Sequence, residues 1–176
     1  MTAAKGIIHA EMRLSPKGAY VEIFSWDKRL CRWSSERRTK EVVPPSKLKK
    51  PINKATIALV TDGGLVPKGN PDRMVPVNSI KFAVYSISGK EKLYPADYEV
   101  KHQGYENSFV LADPNRLVPV DAMRELERKG KIGKLYEYFF TTAGVMTTLE
   151  NAKKFGRGIA DKLLEANVDA VILTST

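Results

Sequence analysis

The sequence predicts an α/β domain, with helices packed on a mainly parallel sheet in a Rossmann-like layered arrangement that is incomplete at its carboxyl end. Three observations lead to this prediction. Short apolar runs alternate with helical stretches beyond residue 51. Their order is strand, long loop, strand, helix, strand, helix, strand. Three of the strands end in Thr, Ser, Asp or Gly, which is typical of the ligand-facing edge of such sheets.

The first fifty residues are predicted to form a basic, irregular leader or linker. Residues 1–54 hold 13 Lys or Arg against 5 Asp or Glu, whereas residues 55–176 hold 16 against 15. Trp26 and Trp33 interleave with the basic residues, a pattern that would also suit nucleic acid. Paired prolines and lysines without a regular apolar period favour the linker interpretation. The predicted domains are therefore a leader, 1–50, and an α/β domain, 51–176.

The composition predicts one ordinary core, because 43% of the 176 residues are apolar. A cytoplasmic protein is predicted from two further observations. The sequence contains no apolar run long enough to cross a bilayer, and its first residues do not resemble a signal peptide. Cys31 is the single cysteine and cannot form an internal disulfide, which agrees with a reducing compartment. We interpret Cys31 as an incidental thiol rather than a reactive one.

The first strand of the domain is predicted at residues 56–60. It runs directly into Thr61, Asp62, Gly63 and Gly64. A strand that ends in Asp-Gly-Gly predicts a tight turn whose backbone amides lie open to a ligand, although the glycine spacing of a nucleotide-binding loop is absent. The Pro- and Gly-rich stretch that follows predicts an ordered but irregular loop, and "KFAVYSISG" predicts the next strand.

A first helix is predicted at about residues 120–129. Pro119 suits its start, Asp121 suits its positive amino-terminal end, and Gly130 suits the position after its last turn. Its apolar face is predicted to consist of Ala122, Met123 and Leu126.

A second helix is predicted to begin with a capping box formed by Thr147 and Glu150. Apolar and small residues then recur at helical spacing, which predicts a core-facing side rather than a cofactor site. The residues of this side are Leu149, Ala152, Phe155, Gly156, Ile159, Ala160, Leu163 and Leu164.

Strands in "KLYEYFFTTAG" and "DAVILTST" complete the predicted sheet, the last as a buried run of Val171, Ile172 and Leu173. Three polar strand ends on one edge would form a shared site of hydroxyl and amide groups, suited to an anionic or zwitterionic substrate. The alternative that strands simply end in polar turn residues remains open. The predicted site-lining residues at these ends are Asp62, Gly63, Gly64, Thr141, Thr142, Thr174, Ser175 and Thr176.

Three stretches carry a family resemblance: "IALVTDGGLVPKGNPDRM", "GYENSFVLADPNRLVPVDAMRELERKGKIGKLYEYFFTTAGV" and "DAVILTST". They resemble the selenoprotein B subunit of the glycine, sarcosine and betaine reductases and, more distantly, the D-proline reductase selenoprotein. The resemblance covers roughly residues 51–176. It implies that a selenocysteine encoded by UGA follows Thr176 immediately. The chain would then be truncated at that codon, would contain no catalytic residue of its own and would be inactive alone.

The resemblance also implies an activity and a set of partners. The activity is that of component B, an oxidoreductase acting with a disulfide as acceptor, in which the selenocysteine cleaves the C–N bond of an amino acid or its N-methyl derivative. The implied partners are a subunit whose pyruvoyl group holds the substrate, selenoprotein A and an acetyl phosphate-releasing component C. The chain itself is expected to bind no cofactor and no metal. Glycine, sarcosine, betaine and D-proline all remain open as substrates.

His102 and Tyr105 are further site candidates, because "KHQGYEN" resembles a His-Gly-Gly-Tyr-type motif of the family, in which Gln103 replaces a glycine. A lone histidine is more often structural than catalytic, and both interpretations stay open. His9, in the leader, is given no role.

Asp113, Asn115 and Asp121 lie in the longest of the three family-like stretches, where Asp121 also suits a helix start. A different class of function remains open beside the enzyme. It is a noncatalytic α/β module for small anions, or a decayed fragment, whose basic leader recruits acidic partners or RNA.

Overall fold

The structure is a computed structural model that describes residues 47–176 and two short strands of the leader, β1 (Met12–Ser15) and β2 (Gly18–Val21). These two strands pair as an antiparallel ribbon. The chain divides into two compact units, Met1–Ser46 and Lys47–Thr176. The predictions made for His9, Cys31, Trp26 and Trp33 lie outside the described residues.

The second unit is built on a four-stranded sheet in the order β5-β7-β3-β8. Its strands are β3 (Thr56–Thr61), β5 (Ala83–Ser86), β7 (Lys134–Thr141) and β8 (Ala170–Thr174). β7, β3 and β8 are parallel, whereas β5 pairs antiparallel with β7 at one edge. The predicted α/β class with a mainly parallel sheet is confirmed.

A second, antiparallel ribbon joins β4 (Leu65–Pro67) to β6 (Tyr98–Val100). Neither strand is predicted from the sequence, and β4 lies in the stretch expected to be an irregular loop. Strands of three residues are too short to display an alternating pattern, so only their pairing partner reveals them. Three α-helices follow in the chain: α1 (Ser108–Ala112), α2 (Val120–Arg128) and α3 (Leu149–Glu165). No helix in the described part of the chain is long and apolar enough to span a bilayer.

One side of the sheet, called here the covered face, carries the larger hydrophobic cluster. Ile57 and Leu59 of β3 and Phe139 of β7 are buried there, together with Val120 and Met123 of α2. The Phe139 ring lies between Tyr85 and Tyr98, with ring centroids 5.7 and 6.4 Å away. Burial of this many large side chains is the main source of stability for the unit.

The opposite side, called here the open face, carries a much smaller cluster under α3. Ala58 and Val60 of β3 and Phe140 of β7 pack against Ile159 and Leu163 of the helix. Because successive residues of a strand point to opposite faces, the run Ile57–Val60 serves both clusters. The sequence therefore shows a continuous apolar strand where the structure has two separate cores.

The first predicted helix is confirmed as α2, but its predicted apolar face is wrong in part. Met123 is buried, whereas Ala122 is exposed and 38% of Leu126 is accessible to solvent. Val120, the first residue of the helix, is fully buried instead. Val120 and Met123 both lie in the first turn, so only this turn of the helix contributes buried side chains to the core.

The predicted start of the second helix is wrong by one residue. Thr148 is the N-cap of α3, and its Oγ1 accepts a hydrogen bond from the Asn151 backbone amide at 3.2 Å. The Thr147 hydroxyl instead donates to the Gly144 carbonyl at 2.8 Å. This bond holds the preceding turn, so the predicted box of Thr147 and Glu150 does not form.

The predicted core-facing side of α3 is also wrong in part. Phe155, Ile159 and Leu163 are buried, at a spacing of four residues that gives a single stripe. The other residues of the predicted side are exposed or partly exposed, because one helix lying on a sheet buries only a narrow strip: Leu149, Ala152, Gly156, Ala160 and Leu164.

The predicted burial of the last strand is likewise wrong. β8 pairs with β3 along one side, and no described residue pairs with its other edge. Val171 is 40% exposed and Leu173 is 76% exposed, both on the open face. Ile172 faces the other way and packs against the larger cluster.

The family-like stretch around Asp113 and Asn115 forms a buried polar bridge. The Asn115 side chain accepts from the Leu93 amide and donates to the Leu93 carbonyl, both at 2.9 Å. Its Nδ2 also donates to Asp113 at 2.9 Å. Asn115 thus satisfies the backbone of a passing loop in the way a neighbouring strand would, which is a structural role.

Candidate functional site

Three parallel strands end together at one edge of the sheet. The register pairs Thr61 of β3 with Thr141 of β7 on one side and with Thr174 of β8 on the other. The three polar strand ends singled out in the sequence are therefore adjacent in space. This is the edge where ligands bind in open α/β sheets.

The turn after β3 uses its own backbone amides. The Asp62 amide donates to the Thr174 carbonyl at 3.2 Å, and the Gly64 amide donates to the Thr142 carbonyl at 3.0 Å. The Gly63 amide donates to Thr61 Oγ1 at 3.1 Å. The expectation that these amides lie open to a ligand is therefore wrong, because two of them connect neighbouring strand ends and the third bonds within the turn itself.

The two glycines of this turn are required by close packing. A Cβ on Gly63 would lie 2.6 Å from Leu117 Cδ2 and 2.8 Å from Thr176 Cγ2. Gly64 has a φ of +68°, and a Cβ there would lie 2.6 Å from the Lys101 carbonyl oxygen. Neither glycine lines the cavity that opens at this edge of the sheet.

Asp62 connects the turn after β3 to the residues after β8. Its Oδ2 accepts from the Ser175 hydroxyl at 2.8 Å, and its Oδ1 accepts from the Thr176 backbone amide at 3.2 Å. Hydrogen bonds to a carboxylate are stronger than those between neutral groups. The Asp62 side chain therefore holds the segment that leaves the last strand.

His102 and Tyr105 lie on the other side of the turn, in the segment after β6. The Tyr105 hydroxyl donates to the Gly63 carbonyl at 3.0 Å, and the two ring centroids are 5.4 Å apart. Burial, followed by the negative charge of Asp62, raises the pKa of Tyr105 to about 12. Tyr105 is thus a neutral hydrogen-bond donor that supports the turn.

The His102 imidazole is uncharged near neutral pH. Burial lowers its pKa below the usual value for histidine, and the nearby Asp62 carboxylate and the Gln103 backbone oppose that shift without cancelling it. Its Nδ1 is buried and has no hydrogen-bond partner among the described residues. An uncharged imidazole with a free nitrogen is suited to accept or deliver a proton.

A cavity of about 460 Å³ opens at this edge between the strand ends and the first half of α3. Val60, Phe155, Ile159 and Leu173 form its larger apolar walls. Its polar lining consists of Thr61, Asp62, His102, Thr142, Thr147, Thr174 and Ser175. Among the described lining residues, Asp62 is the one with a formal charge at neutral pH, and Lys and Arg are absent.

The structure brings five of the predicted site residues to the cavity: Asp62, His102, Thr142, Thr174 and Ser175. The remaining five are not among the residues that line it: Gly63, Gly64, Tyr105, Thr141 and Thr176. The Thr141 side chain is fully buried, with its hydroxyl 3.4 Å from the Thr142 carbonyl.

Part of the cavity wall is not predicted from the sequence. Phe155 and Ile159 were expected only in the core, and Thr147 only in a helix cap, yet all three line the cavity. The spacing of Phe155 and Ile159 on α3 does predict a buried side, but it does not show that the end of this side meets the strand ends. Within the described residues, no three side chains of the His, Asp, Glu or Cys type come together as metal ligands.

The chain matches a protein family along most of its length. The model for "Glycine/sarcosine/betaine reductase selenoprotein B" matches residues 34–176, which begins within the segment predicted to be a leader. The glycine reductase complex component B subunit gamma of Carboxydothermus hydrogenoformans is 51% identical over 134 residues, covering 76% of this chain and 31% of that protein.

Two further relatives differ in their named substrates. The sarcosine reductase complex component B subunit beta of Peptoclostridium acidaminophilum is 46% identical over 134 residues, again 76% of this chain and 31% of that protein. The D-proline reductase subunit gamma of Acetoanaerobium sticklandii is 34% identical, covering 76% of this chain and 55% of that protein. The chain thus spans about a third of the length of the component B relatives. No solved structure matches it.

Proposed function

The chain belongs to the glycine/sarcosine/betaine reductase selenoprotein B family, and from this premise we propose that it forms the α/β part of a substrate-specific component B. The proposed reaction is the reductive cleavage of the C–N bond of glycine, sarcosine or betaine. The observation that carries the proposal is the meeting of three strand ends around one cavity, with the segment after β8 held by Asp62.

The proposal takes the position of the nucleophile from the resemblance. A selenocysteine directly after Thr176 would supply a selenolate that is ionised at neutral pH and displaces the amine from the α-carbon. The residues of this chain would then act on its position. Asp62 accepts hydrogen bonds from Ser175 and Thr176, the two residues that precede it. They therefore keep the start of the catalytic loop at the mouth of the cavity.

His102 is proposed to relay the proton that the departing amine requires: its uncharged imidazole takes up a proton from solvent and passes it to the amine nitrogen as the C–N bond breaks. Its imidazole is uncharged because burial lowers its pKa, and its buried Nδ1 is unpaired within the described part of the chain. It lines the same cavity as Thr174 and Ser175. The lowered pKa keeps the imidazole ready to accept a proton and makes the protonated form a stronger acid toward the amine.

The remaining parts of the reaction belong to other proteins in this proposal. A partner subunit with a pyruvoyl group holds the substrate, selenoprotein A accepts the product, and component C releases acetyl phosphate. A thioredoxin-type dithiol supplies the two electrons of the reductive cleavage and becomes a disulfide. The complex is proposed to be cytoplasmic. The present chain, tested alone, is expected to be inactive.

One experiment at the level of the gene and one at the level of the protein test the proposal. The codon after Thr176 is expected to be UGA, followed in frame by a family-like sequence; UAA or UAG without such a continuation would contradict the selenocysteine. The complete protein, mixed with its partner components, is expected to release amine and form acetyl phosphate with glycine, sarcosine or betaine.

The role of His102 needs a variant of that complete protein. His102→Ala is expected to lose turnover and keep a folded structure by circular dichroism. The exposed Lys153→Ala, on α3 and outside the cavity lining, is the matched control and is expected to keep full turnover. Equal turnover of His102→Ala and the control would remove His102 from the mechanism.

A further inference from the structure

We propose that the cavity at the strand ends binds a small organic ammonium cation, with the Asp62 carboxylate as charge partner and the apolar walls around its N-alkyl groups. The choice of ligand rests on the proposed function, since an amine is what that reaction releases. It differs from the sequence-based expectation, which favoured a site for an anionic or zwitterionic substrate.

Charge is the first reason to expect a cation. The lining of the cavity contains one carboxylate, Asp62, and no Lys or Arg among the described residues. His102 is uncharged near neutral pH because burial lowers its pKa. A site with a single fixed negative charge stabilises a positive ligand and repels a free anion.

The hydrogen-bonding groups give the second reason. The amides of Asp62, Gly63 and Gly64, the donors that the sequence suggested for an anion, all donate to nearby carbonyl or hydroxyl oxygens instead. Each Asp62 oxygen accepts one hydrogen bond, from Ser175 or Thr176. A carboxylate offers about four acceptor positions, so the Asp62 side chain retains capacity for an ammonium group.

The apolar walls of the cavity suit the N-alkyl groups of an ammonium ion. Val60, Phe155, Ile159 and Leu173 are apolar and surround the space beside Asp62. Methyl groups on a nitrogen are apolar but carry part of its positive charge. They are therefore stabilised both by the apolar walls and by the Asp62 carboxylate. The volume of about 460 Å³ leaves room for the several methyl groups of a quaternary ammonium ion.

Small residues on α3 keep this space open. Ala152 and Gly156 line the cavity where larger side chains would fill it. A Cβ added to Gly156 would meet no atom within 4 Å, so this position can carry a side chain without disturbing the helix. Gly156 therefore offers a way to close the cavity while leaving the fold intact.

The binding test uses the full 176-residue chain in solution. Backbone amide chemical shifts are followed by NMR during titration with tetramethylammonium chloride, methylammonium chloride, sodium chloride and sodium acetate at matched ionic strength. Both ammonium salts are expected to cause saturable shifts at Asp62, Thr142 and Ser175. Sodium chloride and acetate are expected to cause none. Saturable shifts at these residues with acetate, or equal shifts with sodium chloride, would overturn the proposal.

Two pairs of variants test the assignment to Asp62 and to the space beside α3. Asp62→Asn is expected to weaken tetramethylammonium binding about tenfold, and Asp161→Asn, exposed on α3 outside the cavity, to leave it unchanged. Gly156→Leu is expected to abolish binding, and Gly156→Ala to retain it.

The second pair remains decisive if Asp62→Asn does not fold, because both replacements at Gly156 raise helix propensity. Binding by Gly156→Leu with the affinity of the unchanged chain would contradict the proposal, as would unaltered binding by a folded Asp62→Asn.

Titration with betaine distinguishes the source of the ammonium group. Shifts at the same amides with betaine identify the amino end of the substrate as the ligand, whereas shifts with the free amines alone identify the released product. The result is independent of the reductase assay. Cation binding without amine release by the complete complex would contradict the proposed function, and amine release without cation binding here would contradict this inference.

Discussion

The two faces of the four-stranded sheet differ in how completely they are buried. On the covered face, Leu59 and Phe139 are almost inaccessible to solvent within the larger cluster. On the open face, α3 covers Val60 and Phe140, while Leu173 on the neighbouring strand remains 76% exposed. Two residues of the same type on adjacent parallel strands, Leu59 and Leu173, thus lie in opposite environments.

This difference separates stability from site chemistry. The covered face contains the large side chains whose burial stabilises the unit. The Asn115 side chain also connects the segment around Asn115 to the backbone of Leu93. The cavity opens on the open face, where α3 meets the strand ends and leaves space beside Val60 and Leu173. Substitutions on the covered face are therefore expected to change the free energy of unfolding, and substitutions near the cavity to change protonation and binding.

The largest expected effect is a loss of stability when a buried side chain of the covered face is shortened. Leu59→Ala should lower the free energy of unfolding by about 2–5 kcal/mol, because it leaves a void in a closely packed cluster. Leu173→Ala is the matched control and should change it by less than about 0.5 kcal/mol. Urea unfolding of the full chain, followed by circular dichroism, measures both. Equal destabilisation by the two variants would mean that the faces do not differ in this way.

An intermediate effect is expected from the polar bridge of the covered face. Asn115→Ala should lower the free energy of unfolding by about 1–3 kcal/mol, because the buried amide and carbonyl of Leu93 lose their partners. Asn151→Ala loses a single 3.4 Å hydrogen bond to the Ser79 carbonyl and should lower the free energy of unfolding much less. Chemical denaturation compares the two, and a smaller loss for Asn115→Ala than for Asn151→Ala would contradict its role as a bridge.

The smallest expected effect concerns protonation at the cavity. Burial lowers the pKa of His102 in the folded chain below its value of about 6.5 in the unfolded chain. The unfolded state then binds more protons, so stability contributed by uncharged His102 is present above about pH 6.5 and is lost as the pH falls through the folded pKa. His102→Gln should therefore lose less stability than the unchanged chain between pH 7 and pH 5.

NMR titration of the His102 ring provides the direct measurement of that pKa. Asp62→Asn should lower the pKa of His102 further, because the carboxylate of Asp62 favours the charged imidazole. A pKa at or above 6.5 in the unchanged chain would show that burial does not dominate at this position.

Local sequence signals were sufficient for the class of fold and for most strand and helix positions. The termini of α2 follow from Pro119 and Gly130, whose backbone preferences act within a few residues. The polar ends of β3, β7 and β8 likewise follow from the residues after each apolar run. The short strands β4 and β6 could not be predicted, because three-residue strands are defined by the backbone hydrogen bonds between them.

The candidate site could be predicted in position but not in character. Asp62, His102 and Ser175 were expected at one edge, and they do line one cavity. The amides of the Asp-Gly-Gly turn were expected to be free, yet those of Asp62 and Gly64 donate to neighbouring strand ends and that of Gly63 donates to Thr61 of its own strand. A sequence states which donors a turn contains, whereas only the arrangement of adjacent strands decides which of them remain available.

By itself, the sequence determined the α/β class, the three polar strand ends and the family, because apolar periodicity, turn residues and long motifs are properties of consecutive residues. The tertiary structure alone decided which apolar residues are buried, since Leu59 and Leu173 look alike in the sequence and differ in what packs on them. It also decided the charge of the cavity. The charge depends on which residues line the same space. Asp62 and His102 lie far apart along the chain and meet only at the edge where the parallel strands end together.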